Sequence, residues 1–203
     1  METAETAETA ETAAQWSEKL AALTGREAAA RRVIDWPAVE ARLGLALPTD
    51  YKRLAERFGS GVFDGYPQLR APDTPSGRYD LVEDAERLGE MLAADEWLRE
   101  IYRPYPVFPA AGGLLQWADS VQADGFFWLT GSADPDTWPV LARSRDGADE
   151  WERFDGPTGE FVHRVLTDHR QPFSVAGFVD AHIFRTYEPE GEPDPGWEAE
   201  PHW

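Results

Sequence analysis

The sequence predicts an α+β fold: a central antiparallel sheet of about five or six strands with helices packed around it. Two observations lead there. Segments of helical period occupy most of the chain from Gln15 to Tyr102 and return at Thr158. Between them lie short aromatic or β-branched runs, separated by Asp124-Gly125, Asp146-Gly147 and Asp155-Gly156. Asp-Gly supplies the positive φ angles that tight hairpins use, so these runs read as a meander.

The helical elements come first. Gln15–Thr24 places Trp16, Leu20 and Leu23 on one face, with Gly25 as a stop and Arg26–Ile34 open to continuing it. In Ile34–Phe63 two short helices are fully punctuated. Asp35 caps the first, Pro37 sits in its first turn, Trp36, Val39 and Leu43 share a face, and Gly44 provides a left-handed stop. Leu47-Pro48 opens the second, whose Tyr51, Leu54, Ala55 and Phe58 fall at i, i+3, i+4 and i+7 before Gly59. Gly59-Ser60-Gly61 then permits a close turn of the backbone. Gly65–Ala71 reads as a short strand ending in a loop at Pro72–Pro75. Val82–Tyr102 reads as the longest helix, with an acid-rich start that suits the helix dipole.

Gly113–Asp119, Gly125–Thr130, Trp138–Ser144 and Asp149–Phe154 are the strands of the meander. Phe126 and Trp128 alternate with Phe127 and Leu129, so this strand is apolar on both faces and belongs inside the sheet. Pro139 argues that its strand pairs poorly there or lies at an edge. Thr158–Asp168 closes the pattern as a helix with Phe161, Val162, Val165 and Leu166 inward, and Phe173–Phe178 begins a last packing element of undefined type.

Charge and composition narrow the function. The 203 residues carry 38 acids against 19 bases, a net charge of −19. Residues 1–12 hold four Glu, and residues 188–203 hold five Glu and one Asp, with no Lys or Arg in either stretch. The chain therefore divides into a disordered acidic ETA-repeat segment over 1–14, a single domain over 15–187, and an acidic Pro/Gly-rich tail over 188–203 in which Trp197 and Trp203 stand out. An acidic field repels phosphate backbones and favours a basic protein partner, so direct nucleic-acid binding is not expected. The absence of cysteine removes disulfides, thiolate zinc sites and cysteine nucleophiles. No apolar run is long enough to span a bilayer and no basic-then-apolar leader is visible, so the reading is of a soluble, cytoplasmic protein with no membrane partner.

No catalytic constellation emerges. His163, His169, His182 and His202 lack metal-ligand spacing. Ser60 sits in Gly-Ser-Gly rather than a nucleophile elbow, and no phosphate-binding glycine loop is present. Asp134-Pro-Asp136 and Asp146 to Glu150 cluster carboxylates without the alternating positions of a calcium loop. Solvated turns explain both, and neither an enzyme nor a cofactor is expected.

The stretch Ile34–Phe63 also resembles the SUKH superfamily, in its Smi/Knr-type branch of cell-wall-regulator-like domains. That family's pattern W..vE..LG..LP.dYk.l...yG.G.f is matched by Trp36, Val39, Glu40, Leu43, Gly44, Leu47, Pro48, Asp50, Tyr51, Lys52, Leu54, Gly59, Gly61 and Phe63. Phe58 replaces the usual tyrosine before Gly59. The likeness continues more weakly to about Leu166, through GGLLQWADS, DGFFWLT, WPVLARS and EWERFDG, and covers neither the first 14 residues nor the last 16. It implies a SUKH-like α+β fold. Many bacterial members are immunity proteins that neutralise a cognate toxin, often a basic nuclease, in the cytoplasm; fungal members are regulatory scaffolds. Both are binding roles without catalysis.

Within that reading, Trp36, Glu40, Leu43, Gly44, Pro48, Tyr51, Gly59 and Gly61 are assigned to building the fold. Trp117 to Glu152 is the candidate partner surface, combining Trp117, Trp128, Trp138 and Trp151 with Asp119, Asp124, Asp134, Asp136, Glu150 and Glu152. Core packing of the tryptophans and solubilising turns for the acids are the competing explanation.

Overall fold

A computed structural model describes residues 14–72, 74, 79–146 and 150–187. The readings made for residues 1–13, for the 188–203 tail with its two tryptophans and His202, and for Pro75, Gly147 and Asp149 lie outside the described residues. Among the described residues the architecture is mixed α+β, with one open antiparallel sheet of seven strands and six helices.

The first helix, α1, covers residues 14–23, so residue 14 belongs to it rather than to the segment before. It ends at Gly25 in the left-handed region, and Arg26–Ile34 runs on as turns and coil, not as more helix. Helix α2 spans Trp36–Leu43; Asp35 accepts the Ala38 amide at its start, and left-handed Gly44 closes it. Helix α3 spans Thr49–Phe58 and buries Tyr51, Leu54, Ala55 and Phe58 along one face.

The sheet order is β6-β5-β4-β3-β2-β1-β7. Strands β1 (Gly61–Phe63), β2 (Pro67–Leu69), β3 (Leu114–Ser120), β4 (Gly125–Leu129), β5 (Val140–Arg143) and β6 (Trp151–Phe154) follow one another across it, and β7 (Phe184–Thr186) returns to pair with β1. The seven strands exceed the five or six expected, because β1 and β7 have three residues each and too little period to read. Gly61 permits their pairing: a Cβ there would lie 2.3 Å from the Arg185 carbonyl oxygen and 2.4 Å from the Phe184 ring.

Two turn readings need correction. The hairpin before β4 takes its positive φ at Ala123, not at Gly125, which already lies in the strand. Gly125 answers a different need, since a Cβ there would meet the Phe127 ring at 2.4 Å. Pro139 does not mark an edge. It stands immediately before β5, an inner strand, and its carbonyl still accepts the Leu129 amide at 3.2 Å.

The sheet separates two apolar layers of unequal size. On one face, Trp117, Phe126, Trp128 and Val140 are enclosed with Leu20, Tyr51, Leu54, Phe161 and Val165 from α1, α3 and the last helix, α6 (Thr158–Thr167). Tyr51 meets Trp128 edge-on at 4.7 Å, and Phe161 does the same to Phe126 at 5.4 Å. On the other face Leu114, Phe127 and Leu141 are packed by Tyr102, Tyr105, Val107 and Trp151. Strand β4 is therefore apolar on both sides, as its composition predicts.

The helix read over Val82–Tyr102 is two helices, α4 (Leu81–Ala94) and α5 (Glu96–Ile101). Asp95 adopts an extended conformation between them, and its carboxylate accepts the Trp97 and Leu98 amides. An N-capping side chain inside a periodic run thus ends one helix and starts the next. Phe173–Phe178 forms turns, with Phe173 buried against Phe126.

Candidate functional site

The signature residues interlock α2 and α3. The Trp36 indole donates to Glu56 at 2.9 Å and its ring lies 6.2 Å from Tyr51. Glu40 accepts the Leu47 amide at 2.8 Å and pairs with Lys52. Leu43 and Pro48 are buried, and Gly44 and Gly59 both take positive φ. Tyr51 is fully enclosed and donates to the Arg70 carbonyl at 2.6 Å, tying α3 to the end of β2. Burial raises the Tyr51 phenol well above its ordinary range, so it remains a donor.

The candidate partner residues do not form one surface. Trp117 and Trp128 are 1% and 0% exposed, and Trp138 is buried as well. Trp151 is half-buried and donates to the Arg103 carbonyl at 3.0 Å. Trp117 therefore presents nothing to a partner; its strand alternation places it in the larger core.

Most of the acids have structural partners. Asp119 pairs with Arg70 at 2.8 Å, and Arg70 reaches Asp84 of α4 at 2.7 Å. Burial opposes the Arg70 charge, but Asp119 and Asp84 outweigh it and hold the guanidinium above its ordinary pKa. The same burial lifts the Asp119 carboxyl, an effect that Arg70 offsets in part. Asp124 is buried and accepts from Tyr66 and Ser120, each at 2.7 Å, and from the Arg145 amide at 3.1 Å. Burial raises that carboxyl, and these donors more than reverse it.

Asp134 accepts the Asp136 amide, opening a single 3₁₀ turn over Pro135–Thr137. Asp136 reaches 87 residues back to accept the Thr49 amide at 2.5 Å and the Thr49 hydroxyl at 2.9 Å. It caps α3, whose own N-cap position is Pro48 and has no side chain to do so. Asp134 and Asp136 stay exposed while making these contacts, and Glu150 and Glu152 are exposed at the β6 edge.

Another surface, absent from the sequence reading, joins apolar and acidic character. A cleft of about 430 Å³ lies between α4 and the segment 105–110, with Leu92, Ala93, Tyr105, Val107, Phe108 and Pro109 among its walls. Across Phe108–Ala110 lies a second cleft of about 410 Å³, bounded by Leu43, Leu45, Thr130 and Trp138 among others. Met91 and Trp97, on the same helix pair as the first cleft, are 48% and 69% exposed. From Leu81 to Glu100 there are seven acids against two arginines. Arg99 bonds back to the Leu92 carbonyl, and Arg87 pairs with Asp84. Glu86 pairs with Arg42, whose charge Glu83 also supports, whereas Glu90 and Glu96 have no ion-pair partner among the described residues. The available signals were the acid run itself and an apolar stripe that includes Met91 and Trp97 although the core does not need them.

Two histidines have local explanations. His182 lies 2.6 Å from Asp64, and His163 lies 5.3 Å from the Trp16 ring. Among the described residues no group of three or more His, Cys, Asp or Glu is arranged to hold a metal ion, and no helix is long and apolar enough to cross a membrane.

No protein-family model matches the chain, and no curated protein or solved structure matches it either.

Proposed function

We propose that this chain is a non-catalytic protein-binding domain of the SUKH, Smi/Knr-like type, an immunity protein that binds and neutralises a basic, nuclease-type toxin domain in the cytoplasm. The observation that carries the binding reading is the α4–α5 surface, where Glu90 and Glu96 stand without ion-pair partners among the described residues beside an apolar cleft. Apolar anchors supply most of the affinity of a protein interface, while unpaired surface charge speeds the encounter with an oppositely charged partner. The ordered match of Trp36 to Phe63 to the family pattern supports the family assignment, and its residues are engaged in holding α2 to α3.

The test is capture from the native host and from competing cells with the tagged full chain, followed by a stoichiometric inhibition assay on any basic nuclease recovered. Titration of its activity to zero at one equivalent, weakened by salt, supports neutralisation. A regulatory scaffold with an endogenous partner is the second reading, favoured by the acidic run of residues 188–203. Recovery of a non-toxic host protein whose binding falls on deletion of 188–203 would establish that role instead.

A further inference from the structure

Resting on the protein-binding reading, we propose that the cleft between α4 and residues 105–110 is the anchor site for one segment of the partner: a basic stretch carrying a large apolar side chain. The cleft is built for an apolar guest. Leu92 and Ala93 face Val107, Phe108 and Pro109 across it, and Gly89 lets the helix approach, since a Cβ there would already stand 3.1 Å from Pro109 Cδ. The one cation in its wall among the described residues, Arg99, is held against the carbonyls of Leu92 and Ala93 at the end of α4.

Charge selects among possible occupants. Glu90 lies one helical step from Ala93 on the exposed flank of α4 and Glu96 begins α5, while Glu86, one step from Gly89, is held by Arg42. Such a rim disfavours the chain's own 188–203 tail, which carries six acids and no Lys or Arg. It also disfavours a second copy of a chain with net charge −19. A lysine- or arginine-rich segment meets opposite charge on the rim while its apolar side chain fills the cleft.

The probe is a lysine-rich synthetic peptide with a central Leu-Phe pair, titrated into the ¹⁵N-labelled full chain, with the Ala-Ala version of the peptide as control. The expected result is saturable amide shifts centred on Gly89, Leu92, Ala93, Phe108 and Ala110, with the control about tenfold weaker. Ala93→Trp, at an exposed position, fills the cleft and should abolish these shifts without changing the melting temperature. Glu90→Lys with Glu96→Lys should weaken binding about tenfold and flatten its salt dependence. Equal affinity for both peptides, shifts centred elsewhere, or unchanged binding to Ala93→Trp would overturn the assignment. If the Leu-Phe peptide docks here while no basic toxin is neutralised, the toxin role fails and the anchor site stands. If a neutralised toxin binds Ala93→Trp as tightly as wild type, the reverse holds.

Discussion

The Asp50 carboxylate accepts the Gly159 amide at 2.8 Å, joining the first turn of α3 to the first turn of α6 across 109 residues. Both helices follow a proline, Pro48 or Pro157, and neither has a capping side chain of its own. Each is capped from afar, α3 by Asp136 and α6 by Asp50. A polar chain reinforces the second cap: the Trp128 indole donates to Thr158 Oγ1 at 3.0 Å, and Thr158 in turn bonds Asp50. The entry points of α3 and α6 are thus fixed by tertiary contacts, which also fixes how these two helices sit on the sheet.

Asp50 should make stability depend on pH. Complete burial raises its pKa from 3.8 to about 6, against the hydrogen bonds from Gly159, Tyr51 and Thr158, and Asp136 adds to the rise. The folded state then holds a proton that the unfolded state releases between pH 3.8 and about 6. The stabilising contribution is complete below pH 3.8 and is lost as pH rises through about 6. A rise from 3.8 to about 6 corresponds to about 3 kcal/mol. Urea denaturation of wild type and Asp50→Asn across this range should show their stability difference moving against wild type with rising pH and levelling off above it. A pH-independent difference would remove this account of Asp50.

The Arg70 pair network yields a prediction that separates two roles for Asp119. Arg70→Met leaves Asp119 in a largely buried setting without its cation and Asp84 with only the exposed Arg87, which should cost about 3 kcal/mol. Asp119→Asn should lower stability as well, by less, because Arg70 keeps Asp84. Equilibrium unfolding measures both. If Asp119→Asn left stability unchanged while weakening partner binding, Asp119 would be a contact residue and not a strut.

Much of the fold was legible where one signal dominated. The cap and stop of α2, the stop of α3, the inward face of α6 and the double-sided β4 all follow from short-range rules that the packing did not override. The break at Asp95 was hidden because apolar period continues on both sides of it, and only the capping chemistry of Asp95 marks the boundary. Strand β7 was hidden because three residues carry no readable alternation, and its partner β1 lies 123 residues earlier in register, as Val62 opposite Arg185 shows. The candidate surface failed as a unit for a related reason. Trp117 and Asp119 stand two apart, which would put them on one face of a regular strand, but the bulge between Gln116 and Ala118 breaks that alternation. Asp136 lies in a 3₁₀ turn before β5 that aims it at Thr49 while Trp138 is buried, so sequence proximity did not translate into a shared patch.

Asp136 is predicted to act on stability through α3. Asp136→Ala removes the acceptor for the Thr49 amide and should cost about 1 kcal/mol, typical of a lost N-cap. Amide exchange at Tyr51 and Lys52 should accelerate, while the β6 edge strand is unaffected. Loss of partner binding with unchanged melting and exchange would return Asp136 to the contact surface.

Gly61 gives the sharpest steric prediction. In Gly61→Ala the new carbon would fall against the Arg185 carbonyl and the Phe184 ring, neither of which can yield without moving β7. Phe184 also packs against Phe58 at 4.9 Å and Phe63 at 4.6 Å, so displacing it opens the core beneath α3. The expected cost is about 3 kcal/mol, at the upper end for an overpacked core. Gly61→Val should be worse, because the larger side chain has the same obstructed space. Thermal melting gives the magnitude, and hydrogen exchange gives the place: protection at Arg185 and Tyr187 should fall before that of β3 and β4. A Gly61→Ala protein that melts like wild type with β7 still protected would mean that the β1–β7 pairing has more room than this geometry allows.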